Sequence, residues 1–262
     1  MFMEERQREI ANLIQRQGKI SIPEIVDRYG ISDESARRDL RILEKNGLCK
    51  RTRGGAISLS QVSVRPPVNR DFDKMQIFDT YREIAKKAAE FIRENDIVYL
   101  TGGSFGYIIL EFLPRQFHYT LVVNNVDLAN RLRIFTNIDT YLAGGKMRQS
   151  GSLVDSMATD FVKRLHFDRC FITGSGFTAS FGFSNGTDET AAFQRAVIEN
   201  SREAILLMPS VKIGVDSFIK VCEASAFQKV ITDWECLEEQ VHQIEEADVE
   251  VLVVKQPEEQ KE

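Results

Sequence analysis

Between residues 97 and 254 the chain alternates strand-like with helix-like segments, and few architectures accommodate that rhythm. Short apolar stretches fall at 97–101, 120–123, 140–143, 170–173, 204–208, 230–232 and 249–254. Helical spacing occupies the intervals around 106–113, 126–135, 155–165, 188–201 and 236–246. Parallel strands need a crossover between them, usually a helix, so the alternation predicts a mainly parallel α/β sheet covered on both faces. Helical spacing also runs from 70 to 94, with Ile77, Ile84, Ala88 and Phe91 on a common side. At 262 residues the chain has room for this domain and a second, smaller one.

The first sixty residues follow a different pattern. Ile10, Leu13 and Ile14 share one helical face, and Gly18 offers a left-handed stop. Ser21-Ile-Pro-Glu24 has capping-box spacing, and Gly30 closes a short second helix. Ser32 caps a third helix that runs to about Asn46-Gly47, with Asp33 and Glu34 at its positive end. On that helix Ala36, Leu40 and Leu43 form a packing stripe, while Glu34, Arg37, Arg38, Arg41 and Lys45 gather opposite. Two helices joined by so short a turn predict a helix-turn-helix whose second helix enters the DNA major groove. Leu48 to Arg53, the Gly54-Gly55 tip and Ala56 to Leu59 then predict a β-hairpin wing.

Charge supports a polyanion partner for this head. Residues 1–60 hold twelve Lys or Arg against nine Asp or Glu, whereas the remainder holds 22 against 30. The surplus concentrates between Ser35 and Arg53, with seven bases and two acids. Ser35, Arg37 and Arg38 are candidates for base contacts, and Arg41, Lys50, Arg51 and Arg53 for phosphates, with Ser32, Gly54 and Gly55 completing the expected double-stranded DNA interface.

In the body, ligands are expected at the carboxyl ends of the strands. Thr101-Gly102-Gly103-Ser104-Phe105-Gly106 lies there, serving either to cradle an anion on backbone N–H groups or only to make a tight turn. It matches neither a P-loop nor G-x-G-x-x-G. Asn125, Gly144, Gly145, Arg148, Ser175, Asp188, Glu189 and Lys212 are the polar or flexible groups expected to converge with it on a small-molecule pocket. His118 and His166 stand beside Phe117 and Phe167 and read as packed side chains. The segment 235–262, with ten acids and two bases, reads as a solvated helix face and frayed end.

The run from Ile31 through Ser35-Ala36-Arg37-Arg38-Asp39-Leu40, then Leu43-Glu44, Gly47-Leu48 and Arg53-Gly54-Gly55-Ala56, resembles the DNA-binding head of the DeoR family of bacterial transcription regulators. Ser35-Ala36 replaces the family's usual Thr-Ile, and Arg53 a usual His. The body is similar to the family's sensor domain through Ile84 to Ala89, Val122 to Asn125, Leu142 to Gly145, Arg164 to Asp168 and Lys212 with Gly214. The resemblance implies a winged helix-turn-helix domain at 1–59, a linker at 60–75 and, at 76–262, a mainly parallel α/β sensor domain resembling ribose-phosphate isomerase. It further implies a repressor of sugar metabolism governed by a phosphorylated sugar or related metabolite. Three acids of the family's pocket motifs are missing, where this chain has Thr101, Ser175 and Pro209.

That loss bears on chemistry. An isomerase needs a positioned base, a partner acid and a phosphate grip. Asp188, Glu189 and Lys212 could still supply such groups, but the set around them is thinned, so no enzyme activity, catalytic residue or cofactor is expected. An atypical or empty pocket, or an isomerase fused to a DNA-binding head, are the alternatives. Pairing two heads on two half-sites implies a homo-oligomer, a dimer or higher. No apolar run approaches the roughly 20 residues of a membrane span, and Glu4, Glu5 and Arg6 sit where a signal peptide would be apolar, so a cytoplasmic protein with no membrane partner is expected. Cys49, Cys170, Cys222 and Cys236 form no C-x-x-C pair, which argues for free thiols and no metal site.

Overall fold

The computed structural model describes residues 3–17, 19–46, 48–57 and 79–257. The expected linker at 60–75 lies outside the described residues, as do Gly18, Gly47 and Leu59. The described residues form two compact units, an N-terminal head and a C-terminal body.

The head contains α1 (Met3–Gln17), β1 (Lys19–Ser21), α2 (Ile22–Tyr29), α3 (Asp33–Lys45), β2 (Lys50–Thr52) and β3 (Gly55–Ile57). Its punctuation follows from local chemistry. The Ser21 hydroxyl accepts from the Glu24 N–H at 3.3 Å, and Gly30 ends α2 in the left-handed region at φ 61°. Ser32 caps α3 by accepting from the Ser35 N–H at 3.2 Å. Ile10, Ile14, Ile25, Ala36, Leu40 and Leu43 close a small apolar core between the three helices. The wing is more than the expected hairpin, because β1 joins it to make an antiparallel sheet in the order β1-β3-β2.

The body alternates α4 (Asp79–Ala89), β4 (Ile97–Leu100), α5 (Ser104–Ile108), β5 (Tyr119–Val123), α6 (Val126–Leu132), β6 (Ile138–Leu142), α7 (Ser156–Val162) and β7 (Phe167–Ile172). It continues with β8 (Gly176–Thr178), β9 (Gly182–Asn185), α8 (Asp188–Glu199), β10 (Ser201–Leu207), β11 (Ile219–Cys222), β12 (Lys229–Thr232), α9 (Glu238–Glu245) and β13 (Glu250–Val253). Each of the seven strands expected between 97 and 254 has its counterpart in the seven-stranded sheet, ordered β13-β12-β10-β7-β4-β5-β6 and paired in parallel throughout. A second, antiparallel sheet, β11-β9-β8, stands apart from it.

Strand order decides where a ligand can sit. From β4 the chain builds outward through β5 to β6, then returns to lay β7 on the other side of β4 and builds outward again. The loops after β4 and β7 therefore diverge, leaving a crevice at their carboxyl ends. On the sheet itself Arg169 of β7 bridges Asp96 and Glu203 of β10, and Lys229 of β12 bridges Glu203 at 3.1 Å and Glu250 of β13 at 3.0 Å.

Candidate functional site

Two places carry polar groups that packing alone does not explain. The first is the outward sector of α3. Arg38, Arg41 and Lys45 are exposed, and Ser35 sits beside them with its hydroxyl 3.0 Å from that of Ser32. Arg37 is also exposed, but its Nε donates to Asp33 one turn back at 2.9 Å. Arg53 and Gly54 form the exposed turn of the wing.

Other expected members of this interface have structural work. Lys50 is only 8% exposed, so its ammonium is not presented with the others, and burial pulls it down to about 8. Gly55 is buried because β3 passes so close to β1 that a Cβ would overlap the Ile20 carbonyl oxygen. Arg51 donates from its backbone N–H and its Nε to the two carboxylate oxygens of Glu44, at 2.7 and 2.6 Å. Asp39, 1% exposed, accepts from Arg6 Nε at 2.7 Å and Gln7 Nε2 at 2.8 Å, tying α3 to α1.

The second place is the crevice between β4 and β7. Gly102 and Gly103 follow β4, and both sit close to neighbouring side chains, Gly102 more tightly. A Cβ on Gly102 would lie 2.7 Å from Asn125 Cβ, and one on Gly103 3.2 Å from Thr173 Cγ2. Lys212 Nζ reaches across from the loop after β10 to donate to the Gly174 carbonyl at 2.9 Å. The Thr173 and Ser210 hydroxyl oxygens are buried and have no hydrogen-bond partner among the described residues. Gln194 of α8 donates to the Thr173 carbonyl at 2.8 Å. One turn earlier on α8, Glu189 and Thr190 receive the Arg148 guanidinium from the loop after β6. Ser175 turns aside to donate to Asn185 Oδ1 at 3.0 Å, while Asp188 and Gly144 are exposed and Gly145 packs on the Asp155 carboxylate.

Three expected lining residues have packing or hydrogen-bonding work of their own. Phe105 is fully buried in the core and stacks on Tyr81 at 5.0 Å, because α5 starts at Ser104 and turns the ring inward. Gly106 is a packing glycine, its missing side chain replaced by the Thr101 carbonyl and the Leu128 methyl. Asn125 is 2% exposed and committed elsewhere: its Oδ1 accepts from Tyr107 and the Leu128 N–H, and its Nδ2 donates to Ser150. Sequence reading missed Thr173, Ser210 and Gln194. Thr173 and Ser210 fall within segments that depart from the family pattern, which is the signal that could have found them; Gln194 carried none.

Comparison with known proteins joins the two places. Residues 6–62 match the DeoR-like helix-turn-helix domain, and residues 79–234 match the DeoR C terminal sensor domain. The chain belongs to the DeoR family. It is therefore a DNA-binding transcription regulator with a sensor domain. The lactose phosphotransferase system repressor of Staphylococcus aureus is 30% identical to this DeoR-family protein over 244 residues, covering 90% of this chain and 94% of that one. The HTH-type transcriptional regulator YulB of Bacillus subtilis is 26% identical over 257 residues, covering 97% and 98%. Among solved structures, ribose 5-phosphate isomerase A of Methanocaldococcus jannaschii gives a TM-score of 0.39 at 13% identity, over 52% of this chain and 54% of that one. Translation initiation factor eIF-2B of Pyrococcus horikoshii gives 0.37 at 14% identity, over 81% and 67%. The DeoR-family chain thus spans about half the length of the isomerase. Among its described residues no helix is long and apolar enough to cross a membrane, and no cluster of His, Cys, Asp and Glu could hold a metal.

Proposed function

We propose that this DeoR-family regulator is a cytoplasmic repressor of sugar-utilisation genes, divided at 1–59, 60–75 and 76–262, and acting as a homo-oligomer. Its body takes a small phosphorylated sugar in the β4–β7 crevice. The observation that carries this reading is the buried, unpartnered Thr173 hydroxyl, whose side chain lies against Gly103, with a second such hydroxyl on Ser210, two residues before the Lys212 that donates to Gly174. A buried polar group without a partner costs about 1–3 kcal/mol, which a hydroxyl-rich ligand relieves. Backbone N–H groups of the loop and the Lys212 ammonium suit the anionic end. The name of the Staphylococcus aureus relative, a lactose phosphotransferase system repressor, agrees with the sugar assignment.

Binding alone suffices for regulation, since a ligand shifts a two-state equilibrium by its differential affinity and needs no reaction. The test is a thermal-shift screen of the full chain against a panel of sugar phosphates, with inorganic phosphate as the reference. A saturating ligand at about a hundred times its Kd stabilises by about 2.7 kcal/mol, and Lys212→Ala is expected to abolish the shift. No shift with any member of the panel defeats the sugar-phosphate reading, and turnover of one would establish an enzyme instead.

A further inference from the structure

The helix that faces DNA also holds the wing. At 100° per residue, Glu34, Ser35, Arg38, Arg41, Ile42 and Lys45 occupy a sector of about 120° on α3. Leu40, Leu43 and Ala36 lie opposite, in the core. Asp39 and Glu44 fall on the two flanks between these sectors, and each reaches out to a different element: Asp39 to Arg6 and Gln7 on α1, Glu44 to Arg51 on β2. The Glu44 grip is unusually complete, because one carboxylate takes both the backbone N–H and the side chain of the same residue. It also occupies a donor on a sheet edge, since β2 is one of the two outer strands of the head's sheet.

We propose that Glu44 is a positioning residue for DNA recognition, with Arg51 as the strut through which it sets the wing against α3. Arg51 then contacts no phosphate. Arg38, Arg41 and Lys45 on the exposed sector of α3 are the cations set against DNA, and Arg53 stands at the wing turn, two residues beyond the strut. The inference rests on DNA binding by the head and stands whatever ligand the body takes.

Charge arithmetic separates a strut from a phosphate contact. Each phosphate neutralised by the protein contributes about 0.9 to the slope of log Kd against log salt. The double variant Glu44→Gln/Arg51→Gln removes one charge of each sign, so the net charge of the head stays the same. The probes are a duplex enriched from a randomised pool by the wild-type full chain and a scrambled duplex of equal length. The double variant is expected to keep the wild-type salt slope while its preference for the enriched duplex falls about tenfold. Glu44→Gln alone is expected to lose a similar preference, because its neutral amide has one acceptor oxygen and cannot take both the Arg51 backbone N–H and its guanidinium. A slope lower by about 0.9 in the double variant would mean that Arg51 binds a phosphate, and full preference in Glu44→Gln would mean that the wing is set without it. Should the double variant not fold, Arg51→Lys carries the test: it keeps the charge but loses the Nε geometry. Wild-type slope with reduced preference is then the expected result, and undiminished preference overturns the proposal.

Discussion

The head and the body bury charge in opposite ways. In the head a single acid, Asp39, lies beneath α3 and is held by two donors from one neighbouring helix. In the body Arg169 belongs to a chain of five charged groups, running from Asp96 through Glu203 and Lys229 to Glu250. The head's arrangement is a joint between two elements. The body's is a tie across neighbouring strands, buried at Asp96 and Arg169 and open to water at its far end: the Glu250 side chain is 55% exposed, whereas that of Arg169 is 9% exposed. A joint fails locally and alters the presentation of a helix, whereas a tie fails at its most buried member and loosens a sheet.

Substitutions sharpen this contrast in order of size. Arg169→Ala takes the cation from the buried Asp96 carboxylate and leaves Glu203 to Lys229 alone, and is expected to cost about 3–5 kcal/mol, read from chemical denaturation followed by the fluorescence of Trp234, which packs on the body's core. A loss below 1 kcal/mol would mean that the tie carries no more than a surface pair. Asp39→Ala leaves Arg6 and Gln7 facing an empty acceptor site and is expected to cost about 1–3 kcal/mol, read as faster hydrogen exchange of α3 amides. Unchanged exchange there, with altered Trp234 fluorescence, would contradict the picture of a local joint. Ser21→Ala removes only the α2 cap and is expected to cost about 1 kcal/mol, confined to α2 amides.

The same contrast explains what sequence could disclose. Caps, stops and the short turn of the head are written within a few residues of where they act, so α2 and α3 were legible from Ser21, Gly30 and Ser32. The seven parallel strands were legible because each is an apolar run between helical intervals. Strands β1, β8, β9 and β11 were not: polar residues or glycine interrupt or replace the apolar run in each, and they exist only through their partners. At the candidate sites, composition points to loops and a helix but not to the direction of each side chain. Lys50, Arg51 and Arg53 looked alike in a cationic run, yet one is buried, one is tied to Glu44 and one lies at the exposed turn. Phe105 looked like part of a glycine loop until the phase of α5 turned it inward. Thr173 meets Gly103 only because strand order places β7 beside β4, and Ser210 follows β10, the other neighbour of β7.

The division of α3 into sectors has a consequence for how such proteins diverge. The groups that hold the head together, Asp39, Glu44 and the Ala36, Leu40 and Leu43 stripe, share no position with the outward set of Ser35, Arg38, Ile42 and Lys45. Duplicated copies can therefore drift at the outward positions and acquire new target sites while their folding is left alone. The same separation makes the helix a surface on which operator preference can be rewritten one residue at a time.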